Sequence, residues 1–405
     1  MTDAPPPPAR SPGGSAALNL LVATMVVLAA ANSVVFALLA DLRARYGLPG
    51  WSLGVMSGTA FATGVVVQLF VAPLADRGHA RKLLVLALLV AVVGNVLFAV
   101  GSSLAPFLTA RALAGVSFGC FGPAARALAA ASGPPESTGR RLGRMAAADL
   151  GGFTIGPVVG SILGQHFGVR LPFAVFGVLS FLALVLLGPR ALPPLVQAGD
   201  TRPSLALARH RGVLVATLLA VGLFLPVGLY DSLWAQYMKD RGASTTFVGI
   251  SLAMYTLPFV LFATLGGRIA DRFGARRCAL VGVGLTAPFV LFYGLLTHPW
   301  AIAGISVVEA MLAAVLVPAA SAAMAHAAPV GRAASAQGLA GAAQQASAAL
   351  VGFSIAPLYR ADRPWFVFGL AFALLLVVWI VTLALARGDQ GIERVVAPEL
   401  ATEPR

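Results

Sequence analysis

Four ionisable residues interrupt long apolar stretches of this chain: Arg111, Asp149, Asp231 and Glu309. A charge at the centre of a bilayer costs at least about 2.5–3.5 kcal/mol, so each is a candidate working group. Glu309 stands eight residues past Ala301, where its apolar segment begins. At about 1.5 Å per residue that is roughly 12 Å of depth. A carboxyl held there, away from water, can take up and release a proton, or serve as a hydrogen-bonded structural acid. Asp149 lies three residues before Gly152, near the start of its own segment. It offers the same proton chemistry, or it is an acid favoured by a helix N-terminus and paired with Arg144 or a neighbour. Arg111, within "RALAGVSFG", carries a permanent charge that could hold a nearby carboxylate or an anionic group. Its other reading is a side chain snorkelling to the interface. Asp231, within "GLYDSLWAQY", is surrounded by Tyr230, Trp234 and Tyr237. That is either an interfacial aromatic belt or an acid with an aromatic wall, a site suited to cationic amphiphiles. Asn32, Gln68, Gln344 and Gln345 would add polar contacts to such a cavity.

These residues need long helices to position them. The 405-residue chain is 59% hydrophobic and 11% charged, where a soluble domain carries about 25% charged residues. It lacks the polar surface to cover a water-facing globule. Twelve apolar segments of membrane-spanning length fall near 18–40, 51–75, 83–104, 106–130, 145–166, 170–188, 212–237, 246–267, 278–297, 301–326, 335–357 and 364–386. Helices are the expected spanning form, because a barrel would show short alternating strands. The reading is an all-α polytopic membrane protein. A Pro-rich disordered cytoplasmic tail (1–17) precedes a six-helix bundle (18–188), and a cytoplasmic linker (189–211) leads to a second six-helix bundle (212–386) and a cytoplasmic tail (387–405). The net charge of +13 reflects basic loops beside a membrane rather than nucleic-acid binding. With the N-terminus inside, 20 of the 28 basic residues fall on the cytoplasmic side and seven outside, with Arg111 left in a span. Both termini are then cytoplasmic. The two cysteines, Cys120 and Cys278, have no metal-ligand spacing and read as small apolar fillers.

The two bundles repeat one another. At a constant offset of 195, Gly47 falls on Gly242 and Gly54 on Gly249, "ADR" at 75–77 on 270–272, and "PAA" at 123–125 on 318–320. Two pseudo-symmetric six-helix halves place a substrate site at their interface near the bilayer midplane.

The loops "APLADRGHARK" (Ala72 to Lys82) and "GRIADRFGARR" (Gly267 to Arg277) resemble the signature Gly-x-x-x-Asp-Arg-x-Gly-x-Arg-Arg of the major facilitator superfamily. The second copy matches fully. The first has Ala72 and His79 where glycines are expected. The resemblance covers nearly the whole chain and implies that family's fold of twelve helices in two bundles. It implies a cytoplasmic gate built from Asp76, Arg77, Arg81, Asp271, Arg272 and Arg276, whose acids latch the closed cytoplasmic side. His79 is either a pH sensor or a solvated loop histidine. Arg111 and Gly115 resemble the family's helix-4 motif Arg-x-x-x-Gly, in which the arginine is linked to proton transfer. Gly152, Gly156, Pro157 and Gly160 resemble the helix-5 motif of the drug:proton antiporter branch, with Ser161 in place of its final glycine. Glycines every four residues form one smooth stripe, read as a groove where one half slides against the other, with Pro157 as a hinge, or as plain tight packing.

An ATP-driven pump would need a phosphate-binding loop, and neither lysine, Lys82 or Lys239, lies in one. An intramembrane enzyme would need a convergent catalytic set, and the five histidines are scattered. The expectation is therefore a non-enzymatic, monomeric carrier in the cytoplasmic membrane. It would be driven by the proton gradient without other cofactors, and would bind protons, lipid and a small drug-like molecule but no nucleic acid. Glu309, Asp149, Arg111 and Asp231 would couple protons. Asn32, Tyr230, Asp231, Trp234, Gln344 and Gln345 would line the substrate cavity. A proton-coupled uptake symporter or metabolite exporter is the alternative.

Overall fold

The structure, a computed structural model, describes residues 12–71, 74–132, 138–188, 205–329 and 332–387. Among the described residues twelve α-helices carry the chain back and forth: α1 (Pro12–Tyr46), α2 (Ser52–Val66), α3 (Ala80–Val100), α4 (Leu104–Ala131), α5 (Thr138–Phe167), α6 (Arg170–Leu187), α7 (Arg211–Lys239), α8 (Thr245–Phe273), α9 (Ala275–Leu295), α10 (Pro299–Ala327), α11 (Ala333–Ser354) and α12 (Pro364–Arg387). Each contributes to one of twelve stretches long and apolar enough to cross a membrane. Among the described residues there is no strand. With an even number of crossings, α1 begins and α12 ends on the same face, called here the near face; the opposite one is the far face.

The helices overrun the apolar segments at several ends. α1 starts at Pro12, so residues 12–17 of the expected tail are helical. α5 starts at Thr138 and carries Arg140, Arg141 and Arg144 on its first turns rather than in a loop. Long arginine stems let a helix pass the apolar zone with their heads in water or on a carbonyl. Arg141 is buried and donates from Nε to the Ala129 carbonyl at 2.7 Å, tying α5 to the end of α4. α2 stops at Val66 and continues as a π-helical turn, Val67–Val71, within the expected segment. The expected linker ends in a 3-10 turn, Leu205–Arg209, and its last residue, Arg211, opens α7; the rest of the expected tails and linker, 1–11, 189–204 and 388–405, lies outside the described residues.

The two signature loops solve one problem in two registers. In the second copy Gly274 takes a left-handed turn (φ 90°) between α8 and α9. In the first copy His79 occupies the equivalent position, and the left-handed turn falls one residue earlier, on Gly78 (φ 85°). A left-handed residue strains any side chain with a Cβ, so the turn moves to the available glycine. Beyond the turns the copies converge again. Arg81 donates to the Gly188 carbonyl at the end of α6 (2.7 Å), and Arg276 to the Ala386 carbonyl near the end of α12 (2.9 Å). Each guanidinium thus meets the negative end of the last helix of its own half.

The glycine stripe of α5 does not lie between the halves. Methyl groups at Gly152, Gly156, Gly160 and Gly164 would collide with Val26 and Ala29, with Ala30 and Ser33, with Val34, and with Leu38, all on α1. The stripe seats α1 against α5 inside the first half, which corrects the expectation of a sliding surface. In lipid, helices associate through such close contact because there is no hydrophobic drive between them. The adjacent flank of the same stretch, the Pro157 carbonyl and Ser161, meets Gly249 of α8 and so does touch the other half.

Candidate functional site

Helix α4 brings Arg111 to the middle of the molecule because Gly115, one turn on, lets α2 approach closely. A methyl there would strike Thr63 and the Ala60 carbonyl. Thr63 also donates from Oγ1 to the Ala112 carbonyl at 3.0 Å. This docking sets Met56 and Ser57 of α2 beside the guanidinium. Arg111 donates from Nε to the Met56 carbonyl (3.2 Å) and from Nη2 to Asp231 Oδ2 (2.7 Å). Ser57 Oγ donates to the same carboxylate oxygen. The Phe36 ring of α1 lies beneath the guanidinium, 5.7 Å from ring centre to Cζ. Both charged side chains of the pair are 3% exposed. Arg111 and Asp231, 120 residues apart, therefore form one buried ion pair that ties the first half to α7 of the second. Asp231 Oδ1 is buried without a hydrogen-bond partner among the described residues.

The residue before Asp231 points elsewhere. Tyr230 donates to Glu309 Oε1 at 3.0 Å, and Tyr293 of α9 donates to Oε2 at 2.6 Å. Glu309 is 2% exposed. Its carboxyl is thus caged by two phenols from α7 and α9, with Tyr255 of α8 behind them, its ring 6.5 Å from that of Tyr230. Trp234 completes the wall edge-on, 5.8 Å from Tyr230 and 5.4 Å from Tyr293. Its indole N–H donates to Ser251 Oγ at 2.9 Å. Buried aromatic polar groups need such partners, and here they find them. Tyr230 and Tyr255 are only half-buried, so this wall keeps some open ring surface. Neutral phenol donors can serve either protonation state of a carboxyl, because a hydroxyl both donates and accepts.

Pattern comparison places the chain among known proteins. The pattern of the Major Facilitator Superfamily matches residues 20–236 and 217–399. The chain belongs to the major facilitator superfamily. It is a transporter, not an enzyme. It is 25% identical over 293 residues to the multidrug resistance protein MdtG of Salmonella paratyphi A, covering 68% of this chain and 71% of that one. It matches the MdtG of Salmonella arizonae to the same extent. The superfamily fold recurs in the crystal structure of a bacterial homologue of the human lysosomal transporter Spinster, inward-facing and occupied, at TM-score 0.75 and 15% identity over 94% of this chain and 98% of that one. A peptide transporter, POT, solved with sulfate, has the same TM-score at 14% identity, over 92% of this chain and 94% of that one.

Other candidate residues of this superfamily member disperse around the two centres. Asp149 is half-buried, with Oδ1 unpartnered, and the cation acting on it is Arg126 of α4. Arg144 instead donates to Asn19 Oδ1 at 2.8 Å. Asn32 and Asn95 line a small cavity of about 10 Å³ behind Arg111. Gln345 packs on Gly64, and Gln68 packs on Gly341, so these amides lie in the α2/α11 seam rather than in an open cavity. Gln344 is half-buried beside them. Asp231 and Trp234 are packed away, 8% and 5% exposed. Of the signature residues, Arg77 and Asp271 are exposed, and Asp271 makes no ion pair among the described residues. Arg272 lies over the neighbouring Phe273 ring. The Asp76 side chain lies outside what the structure describes.

Sequence reasoning missed the far-face clasp. Asp41, at the end of α1, accepts from Lys239 Nζ at the end of α7, and from Thr245 Oγ1 at the start of α8 at 3.0 Å. Gln165 of α5 accepts from the Thr246 backbone N–H at 2.8 Å. All three acceptor–donor contacts join the halves on the same face. Nearby, outside the spans, Tyr359 donates to Asp240 Oδ2 at 2.8 Å. Burial, reinforced by that acid, pushes its phenol far above the ordinary range. Helix-end position was the only available signal for Asp41, because its acid sits where a loop charge is unremarkable. Tyr293 and Ser57 gave none, since tyrosine and serine are common in apolar segments.

Proposed function

We propose that this transporter exports small amphiphilic, drug-like molecules across the cytoplasmic membrane in exchange for protons, by alternating access. One observation carries the reading. Consecutive residues of α7, Tyr230 and Asp231, join a caged carboxyl to the ion pair that ties the halves together. Asp231 holds Arg111 by charge, so a proton on Asp231 removes the attraction and frees the halves to part. A proton on Glu309 changes what the Tyr230 hydroxyl meets, and α7 carries that change to the next residue. The half-buried rings of Tyr230 and Tyr255 suit a flat or cationic amphiphile by stacking and cation–π contact. Such a substrate, arriving from the cytoplasm or inner leaflet, displaces protons from Asp149 and Glu309. Protons from outside reload the acids and favour return.

The near face is cytoplasmic on this reading, because the basic loops gather there. The contacts at Asp41 and Gln165 then close the outside, which is the inward-facing state. We assign Asp271 the role of a latch that engages when the cytoplasmic side closes, and Asp76 the same role by position; among the described residues Asp271 makes no ion pair. The carrier works as a monomer and needs no cofactor beyond the proton gradient. Similarity to multidrug resistance proteins supports the drug-like substrate class.

The test uses purified protein in liposomes with a panel of lipophilic cations and neutral amphiphiles. Acidifying the face equivalent to the cell exterior drives substrate out of the cytoplasmic compartment if the reading holds. Movement into that compartment identifies an uptake symporter, and indifference to the gradient overturns proton coupling.

A further inference from the structure

The internal duplication marks two positions whose role goes beyond the proton centres. Gly54 of α2 and Gly249 of α8 lie 195 residues apart, the offset of the repeat. Each sits near the far face and presses on a helix of the opposite half. A methyl on Gly54 would overlap the Gly352 carbonyl and come within 2.9 Å of Pro357 Cδ and 3.0 Å of Ala356 Cβ, on and just beyond α11. A methyl on Gly249 would overlap the Pro157 carbonyl and Ser161 Oγ, and come within 2.7 Å of Ser161 Cβ, on α5. The partners obey the same offset: 157 maps to 352 and 161 to 356. Two seams on opposite sides of the molecule are thus closed by the same contact, made twice. Real Cβ atoms do not approach so closely, and backbone carbonyls cannot swing aside.

We infer that Gly54 and Gly249 are the paired seats of the far-face gate, and that their lack of a side chain sets how far the carrier favours the state closed on that face. The inference rests on alternating access as proposed above, but not on proton coupling or on the substrate. A side chain at either seat wedges the seam only while that face is closed, so it favours the state in which the far face is open. This distinguishes the seats from Gly152 and Gly156, which lie within one half and stay packed whichever face is open.

The experiment measures gate opening directly. Cysteines replace Ser102 and Thr297, exposed on far-face loops of the two halves, in a full-length chain whose native Cys120 and Cys278 are changed to alanine. Spin labels on the pair report the short (closed) and long (open) distance populations. Gly54→Ala and Gly249→Ala should each move the closed-to-open ratio toward open by about tenfold, the scale of overpacking by one methyl. Adding Ser161→Gly to Gly249→Ala should recover part of the shift. Gly151→Ala, whose methyl meets nothing within 4 Å, is the control for helix propensity and should leave the ratio unchanged. If a seat variant does not reach the membrane, Ser161→Val and Ala356→Val overfill the same seats from the facing helices and should give the same shift. Populations equal to those of Gly151→Ala, or a shift toward closed, overturn the inference. The distances are read without substrate or gradient, so a failure of drug transport leaves this result standing or falling by itself.

Discussion

The two buried acids of the second half are held in opposite ways. Glu309 is held by neutral phenols from its own half, on α7 and α9. Asp231 is held by a cation and a hydroxyl that both belong to the other half, on α4 and α2. A rocking motion leaves the first arrangement intact and must break the second. The lesson is a division of labour. A carboxyl inside one rigid half can answer to protons, and a carboxyl at the interface can answer to the position of the halves. Because Tyr230 and Asp231 are consecutive, one turn of α7 carries both messages.

Substitutions at these positions put the contrast to the test. The largest effect is expected from Glu309→Gln, which keeps the shape and both phenol contacts, one phenol turning to accept from the amide, but cannot exchange a proton. Gradient-driven transport should fall to that of empty liposomes while the protein inserts and purifies normally. Asp149→Asn should have the same outcome, and wild-type rates in both would defeat the proton assignment. Arg111→Ala leaves Asp231 buried without its counter-charge. It should lower unfolding free energy by about 3–5 kcal/mol, as breaking a buried pair does. The double variant Arg111→Ala with Asp231→Ala should be milder than Arg111→Ala alone, measured by denaturation in detergent; equal losses would mean the pair is not a unit. Gly156→Ala should lower stability by about 1–3 kcal/mol through overpacking against α1, yet leave far-face distances unchanged. An altered gate there would return the glycine stripe to the interface between halves. Ser57→Ala should be the mildest, about 1 kcal/mol for one hydrogen bond, with Asp231 still held by Arg111.

The fold was legible because membrane spans announce themselves by length and apolarity, and the repeat by a constant offset. Gly47 and Gly242, aligned by that offset, both adopt positive φ in the structure (61° and 83°). What remained hidden was rotation. A sequence places Arg111 and Asp231 at suitable depths, but which faces of α4 and α7 meet depends on how Gly115 docks α2, a tertiary fact. The α5 glycines carried the right message, close packing, with the wrong addressee, because α1 and α8 pack on neighbouring flanks of the same helix, one residue apart in register. The shifted turn at Gly78 was visible only as a mismatch at His79.

The clasp at the far face has a further consequence. Its partners Asp41 and Lys239 have side chains 20% and 26% exposed, unlike the sealed pair of Arg111 and Asp231. Lys239 is also one of only two lysines among 28 basic residues. A lysine offers a compact, strongly hydrated point charge where arginine would offer a two-pronged grip. Water already reaches both heads of the far-face pair, so parting them uncovers little bare charge. The deep pair has no such reserve, because separating Arg111 from Asp231 leaves each charge buried without its partner.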